Sequence, residues 1–119
     1  VSCTMLRPSG IGSVYIGKII REIRAVNPDV KIYADNIYNP AKGIDAFSQV
    51  YSVADAYINR MNRGFYLSDE YVLVDIKKCF DGEKESMVNL SFKGREIDPH
   101  PSEKGHKKIA QMVIKAMER

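Results

Sequence analysis

The residues with the clearest chemical potential in this sequence are consecutive: Asp98, Pro99, His100, Pro101 and Ser102. Because a proline disfavours helical backbone in the residue before it, Asp98 and His100 are both kept extended. In an extended chain, residues two positions apart project to the same side, so the carboxylate and the imidazole can meet. A carboxylate that keeps one imidazole nitrogen protonated leaves the other free to accept a proton from a hydroxyl nucleophile. The pattern therefore predicts an acid–base pair of the kind that hydrolases use.

The same residues also allow a purely structural interpretation. A proline-flanked segment is a rigid lead-in to a helix, and Asp98 or Ser102 would then cap the first turn. Ser102 opens a segment with apolar residues at helical spacing as far as Glu118. Glu103 falls in the first turn, where the helix dipole favours an acid. Both interpretations place His100 directly before the last helix.

The elements that must position these residues alternate between helix and strand. Three segments have apolar residues at amphipathic helical spacing, and two short runs are rich in β-branched and aromatic residues. We therefore predict helices over residues 13–27, 45–62 and 102–118 and strands over 30–37 and 71–76. Residues 87–92 fit either a short strand or an irregular crossing. The alternation favours an α/β fold with parallel strands between helices, and a two-stranded sheet leaves an edge for a missing N-terminal half or a second copy to fill.

Composition limits the kind of protein that this chain can be. It has 119 residues, with 18 Lys and Arg against 15 Asp and Glu and a formal charge of +3, and we expect one domain over residues 1–119. So small an excess of positive charge indicates no nucleic-acid partner, and no apolar stretch is long enough to predict a membrane span.

The start at Val1, without an initiator Met, indicates a cut chain. Cys3 and Cys79 are predicted to be free thiols, and the compartment, cytoplasmic or secreted, stays open.

Residues 98–110, which read DPHPSEKGHKKIA, resemble the last motif of the SGNH or GDSL-type esterase and lipase (acylhydrolase) family. Members of that family end in a pattern D-x-(x)-H-P-(N/S)-x-x-G-(H/Y)-x-x-(I/L)-A. Residues 19–33, IIREIRAVNPDVKIY, are similar to the family's penultimate helix-to-strand unit, and residues 36–40, NIYNP, to the end of its next loop. The resemblance spans nearly the whole chain but covers only the C-terminal half of the family.

This resemblance implies a flavodoxin-like, three-layer α/β/α sandwich that hydrolyses carboxylic esters through a serine. His100 would be the general base and Asp98 its orienting acid, with no cofactor, acting on an acyl-ester small molecule, a lipid or an acetylated sugar. The sequence contains neither the Gly-Asp-Ser nor the Gly-x-Asn-Asp of the family's early motifs. Ser9 and Ser13 lack the strand-turn-helix setting of an activated serine, and we expect them to cap a helix instead. The chain alone is therefore predicted to be an inactive fragment.

Two other interpretations come from the residues themselves. The first is a non-catalytic α/β module that self-associates through its unpaired strand edge. The second is a metal site formed by His106 with Asp98 and His100. Because no second cluster of ligand residues accompanies these three, we predict no metal site. Asn36 lies at the C-terminal end of the first predicted strand and Asn39 just beyond it, at the edge where α/β folds bind ligands, so a minor site role stays open for either.

Overall fold

The computed structural model describes residues 11–67, 69–89 and 98–119. Within these residues the elements are α1 (Ile11–Val26), β1 (Tyr33–Asp35), α2 (Ser48–Asn62), β2 (Val72–Val74), α3 (Ile76–Asp81) and α4 (Glu103–Met117). Single 3-10 segments precede and follow α2, at Asp45–Phe47 and Arg63–Leu67. The fold is therefore mixed α/β, as the alternation predicts, with α3 as an additional helix. No helix in this described part is long and apolar enough to cross a membrane.

The two strands form a small parallel sheet. The register pairs Tyr33 with Val72, Ala34 with Leu73 and Asp35 with Val74. The predicted parallel orientation is confirmed, but both strands are shorter than the predicted ranges. One further backbone hydrogen bond extends the ladder at its carboxyl end, where the Asn36 N–H donates to the Val74 carbonyl at 3.4 Å. Beyond it, the Asp75 side chain caps α3 by accepting the Lys78 N–H at 3.0 Å, so the backbone turns into a helix.

The core consists of two clusters. The first contains Val74, Ile76, Phe80, Met87 and Ala116, with partly buried residues of α4 packed against it. The second contains Ile20, Phe65 and Tyr71, with Ile16 of α1 packed against it. Of the strand residues, Tyr33 and Val74 belong to the first cluster, and Ala34 and Leu73 contact the second. Because successive strand residues point to opposite faces, the clusters lie on opposite faces of the sheet, next to α4 and α1 respectively.

The helix ends agree with the sequence at α4 and differ at α1. Ser102 caps α4 as predicted, because its hydroxyl accepts the Gly105 N–H at 3.1 Å. The expectation that Ser13 caps α1 is wrong, since this helix already begins at Ile11 and position 13 lies inside it. Ser9 lies outside the described residues.

Gly105, in the first turn of α4, lies directly against the backbone of Met87. A Cβ atom at position 105 would overlap the Met87 carbonyl oxygen and lie 3.1 Å from the Cβ of Pro101. Gly17 in α1 is a matched contrast, because a Cβ there would meet only the end of the Arg21 side chain, at 3.5 Å. Alanine normally stabilises a helix relative to glycine, so the two positions should respond to it with opposite sign.

We expect Gly105→Ala to destabilise the fold by about 1–3 kcal/mol, since the new methyl group displaces backbone. Gly17→Ala should stabilise it by about 0.5–1 kcal/mol. Urea unfolding followed by circular dichroism measures both free energies of unfolding. Stabilisation by both substitutions would show that the Met87 backbone does not pack against α4 in this way.

Candidate functional site

The segment that carries His100 pairs with the segment after α3 in an isolated antiparallel bridge. The Ser102 N–H donates to the Met87 carbonyl at 2.8 Å. The Asn89 N–H donates to the His100 carbonyl at 2.9 Å. The backbone of His100 is therefore fixed beside a residue of the first core cluster. Of the range 87–92, only the part up to Asn89 is described, and it forms this bridge rather than a strand of the sheet.

A second contact joins this segment to the carboxyl end of β1. The Tyr38 hydroxyl, three residues beyond the last residue of that strand, donates to the Pro99 carbonyl at 2.7 Å. Burial, followed by the negative charge of Asp98, raises the pKa of the Tyr38 hydroxyl, so the group remains a protonated donor. The candidate pair consequently lies beside the edge of the sheet at which α/β folds bind ligands.

The Asp98 carboxylate contacts His100 through both its ring and its backbone. The His100 Nδ1 lies 2.6 Å from the Asp98 Oδ1, and the His100 N–H donates to the same oxygen at 3.0 Å. These two hydrogen bonds, the backbone one first, hold the pKa of the Asp98 carboxyl below its usual value. The carboxyl is therefore ionised at neutral pH and keeps the Asp98–His100 contact until the pH falls through that lowered pKa. The structure thus brings together the two side chains that the extended-chain argument predicted to meet.

This geometry determines which imidazole nitrogen is available for chemistry. A neutral ring that donates from Nδ1 to a carboxylate presents an unprotonated Nε2 as an acceptor. The side chains of His100 and Asp98 are 80% and 48% exposed, so a hydroxyl can reach the ring from outside. The arrangement can therefore orient a general base, although solvent at this exposure screens the charge on the acid.

Asn36 and Asn39, for which a site role stayed open, are buried and engaged in internal hydrogen bonds. Asn36 donates to Asp75 at 2.8 Å and accepts the backbone N–H of Lys77 at 3.0 Å. Asn39 donates to Asp55 at 3.2 Å and accepts the N–H two residues along at 3.0 Å. Both side chains thus connect parts of the fold to one another at the end of the sheet.

Sequence reasoning missed an ion-pair cluster in which a buried lysine, Lys77, lies between two half-buried carboxylates. The Lys77 Nζ lies 2.9 Å from an Asp55 oxygen and 2.6 Å from an Asp81 oxygen. Burial alone would lower the pKa of the Lys77 ammonium, but its bonds to Asp81 and Asp55 outweigh burial and raise it. The sequence signal that could have found part of this cluster is the i,i+4 spacing of Lys77 and Asp81.

The remaining sequence candidates are His106 and the two cysteines. The His106 side chain is exposed, and the described residues contain no group of three His, Cys, Asp or Glu side chains that could hold a metal ion. Cys79 is a free thiol as predicted, whereas Cys3 lies outside the described residues. Three of the four lysines of α4 form ion pairs with nearby acids: Lys104 with Glu85, Lys107 with Glu103 and Lys108 with Glu83.

Comparison with known proteins returns no match to this chain among family models, curated proteins or solved structures. The functional interpretation therefore depends on the residues of the chain and on their geometry. The SGNH resemblance and the catalytic roles of Asp98 and His100 stay predictions.

We expect neutral His100 to carry its proton on Nδ1, because this nitrogen must donate to the Asp98 carboxylate. Long-range proton–nitrogen NMR spectra at alkaline pH identify the protonated ring nitrogen directly. Asp98→Ala removes the acceptor and should convert the His100 signals to the pattern of the exposed His106, which serves as an internal reference. Finding the proton on Nε2 of His100 in the unaltered chain would contradict the pair as described.

Proposed function

We propose that this chain supplies the acid–base half of a serine-dependent carboxylic ester hydrolase of the SGNH or GDSL type. The observation that carries the proposal is the 2.6 Å contact between His100 Nδ1 and Asp98 Oδ1. In this role, Nε2 of His100 takes the proton of a serine hydroxyl as it attacks the ester carbonyl, and then gives that proton to the departing alcohol oxygen. Asp98 stays ionised and stabilises the imidazolium. The proposed substrates are acyl esters of small molecules, lipids or acetylated sugars.

The proposed architecture is part of a flavodoxin-like, three-layer α/β/α sandwich. The parallel pairing of β1 with β2 and the position of core clusters on opposite faces of the sheet support it. The contact of Tyr38 with Pro99 supports the location of the pair at the ligand-binding edge of such a fold. In this proposal residues 1–119 form the C-terminal portion of one domain.

The nucleophile and the oxyanion donors of this proposal lie outside the 119 residues, which contain no Gly-Asp-Ser. Acid–base catalysis of this type depends on a site that excludes water, and the His100 side chain is 80% exposed. The helices α1 and α2 also present large apolar side chains to solvent: Tyr15, Ile19, Ile23, Val26, Val50, Val53, Tyr57 and Met61. A missing N-terminal half would cover such apolar surface and complete the site.

The second candidate function is a non-catalytic module that self-associates through a strand edge. The exposed apolar side chains of α1 and α2 also favour this function, as does Val72 of β2, which is 36% exposed. In that case a second copy covers the edge, and the Asp98–His100 contact serves only to stabilise the entry to α4. The two functions differ in whether any activity depends on His100.

We expect the chain, expressed with its upstream coding region, to hydrolyse short-chain 4-nitrophenyl esters. His100→Ala should lower kcat/KM by about 10²–10⁴-fold, because it removes the general base. The matched control is His106→Ala, which alters an exposed histidine of the same helix region and should leave kcat/KM unchanged. Full ester hydrolysis by the His100→Ala variant would reject the proposed function.

A further inference from the structure

We propose that Tyr38 is a positioning residue for the Asp98–His100 pair, holding the loop between the two through the Pro99 carbonyl. The inference depends on the proposed function for its catalytic meaning, but its geometry can be tested without any substrate. Pro99 is the residue between the acid and the base, and its carbonyl accepts the Tyr38 hydroxyl at 2.7 Å. A shift of that peptide group would move both members of the pair.

The ring of Tyr38 is anchored in the core. Its centroid lies 5.0 Å from that of Phe80, at an interplanar angle of 48°. Phe80 is 2% exposed and belongs to the first core cluster. The half-buried Tyr38 ring packs against this closely packed core, which restricts its rotamers and gives its hydroxyl a defined position.

The backbone around Tyr38 is held on both sides by three buried asparagines. Asn36, Asn39 and Asn62 are 4%, 1% and 1% exposed. The Asn62 side chain binds both backbone groups of Ile37, accepting its N–H at 2.9 Å and donating to its carbonyl at 2.7 Å. Asn36 accepts a backbone N–H of α3 at 3.0 Å, and Asn39 donates to a carbonyl of α2 at 3.2 Å. The segment before and after Tyr38 is therefore preorganised.

The Asp98–His100 pair itself has little packing to hold it, because the His100 side chain is largely exposed and that of Asp98 about half exposed. On the side of His100 that leads into α4, two backbone hydrogen bonds fix the chain, from Ser102 to Met87 and from Asn89 to His100. On the side of Asp98, the Tyr38 hydroxyl binds the next peptide group, and the Asn89 side chain also forms a hydrogen bond with the Asp98 carboxylate. These contacts together determine the geometry of the pair, and misplacement of about 1 Å can cost about 10²-fold in rate.

The test compares Tyr38→Phe with Tyr71→Phe. The Tyr71 hydroxyl likewise donates to a backbone carbonyl, that of Phe65, at 2.9 Å, and its ring lies 6.5 Å from the Phe65 ring. It belongs to the second core cluster, on the other face of the sheet. Each substitution thus removes one hydroxyl and one hydrogen bond and keeps the ring packing.

We expect both variants to lower the melting temperature, and Tyr71→Phe to lower it more, because the hydrogen bond of Tyr71 is buried and that of Tyr38 is exposed. The Tyr38→Phe variant alone should change the ring nitrogen shifts of His100. It should also raise the titration midpoint of the Asp98 carboxyl towards its ordinary value, as the hydrogen bonds from His100 weaken. In the chain with its upstream coding region, Tyr38→Phe should lower kcat about tenfold or more and leave KM nearly unchanged.

Unchanged His100 and Asp98 signals in a folded Tyr38→Phe variant would overturn the positioning role, whether or not the protein hydrolyses esters. Equal changes of these signals in Tyr71→Phe would overturn it as well, because they would reflect general loss of stability. Changed signals in Tyr38→Phe alone would support the role, and a simultaneous lack of ester hydrolysis would then count only against the proposed function.

Discussion

Two backbone hydrogen bonds, from Ser102 to the Met87 carbonyl and from Asn89 to the His100 carbonyl, join the loop of the acid–base pair to the core. Met87 is a core residue, so the pairing holds an otherwise exposed loop against the core. The same Met87 carbonyl also lies against Gly105, where a side chain would displace it. This backbone pairing therefore determines both where α4 begins and where His100 lies.

The polar groups of the chain fall into two kinds with different physical tasks. Asn36, Asn39, Asn62 and Lys77 are buried, and hydrogen bonds or ion pairs within the protein satisfy their side chains. An unpaired buried polar group costs about 1–3 kcal/mol, so these bonds favour one arrangement of the loop after β1. The Asp98–His100 pair is exposed instead and leaves a ring nitrogen open. The residues that order the loop after β1 and the proposed acid–base pair are therefore different residues at the same end of the sheet.

Local rules predicted the features that depend on residues near one another in sequence. The helix start at Ser102 and the contact of Asp98 with His100 follow from proline stereochemistry and capping. The apolar run that ends at Ile76 predicts a strand longer than the observed one, because Ile76 already belongs to the helix that Asp75 caps. The available signal for this helix was Asp75 itself, an acid directly before apolar residues at helical spacing. Contacts such as that of Tyr38 with Pro99 join residues far apart in the chain, and no local pattern marks them.

Native-state hydrogen exchange of the Ser102 and Asn89 amides tests most directly the claim that backbone pairing fixes the acid–base loop. We expect both amides to be protected and to open together with the first turn of α4, because their bonds connect that turn to the core. Exchange of both amides at the rate of a free peptide, with the interior of α4 still protected, would contradict it.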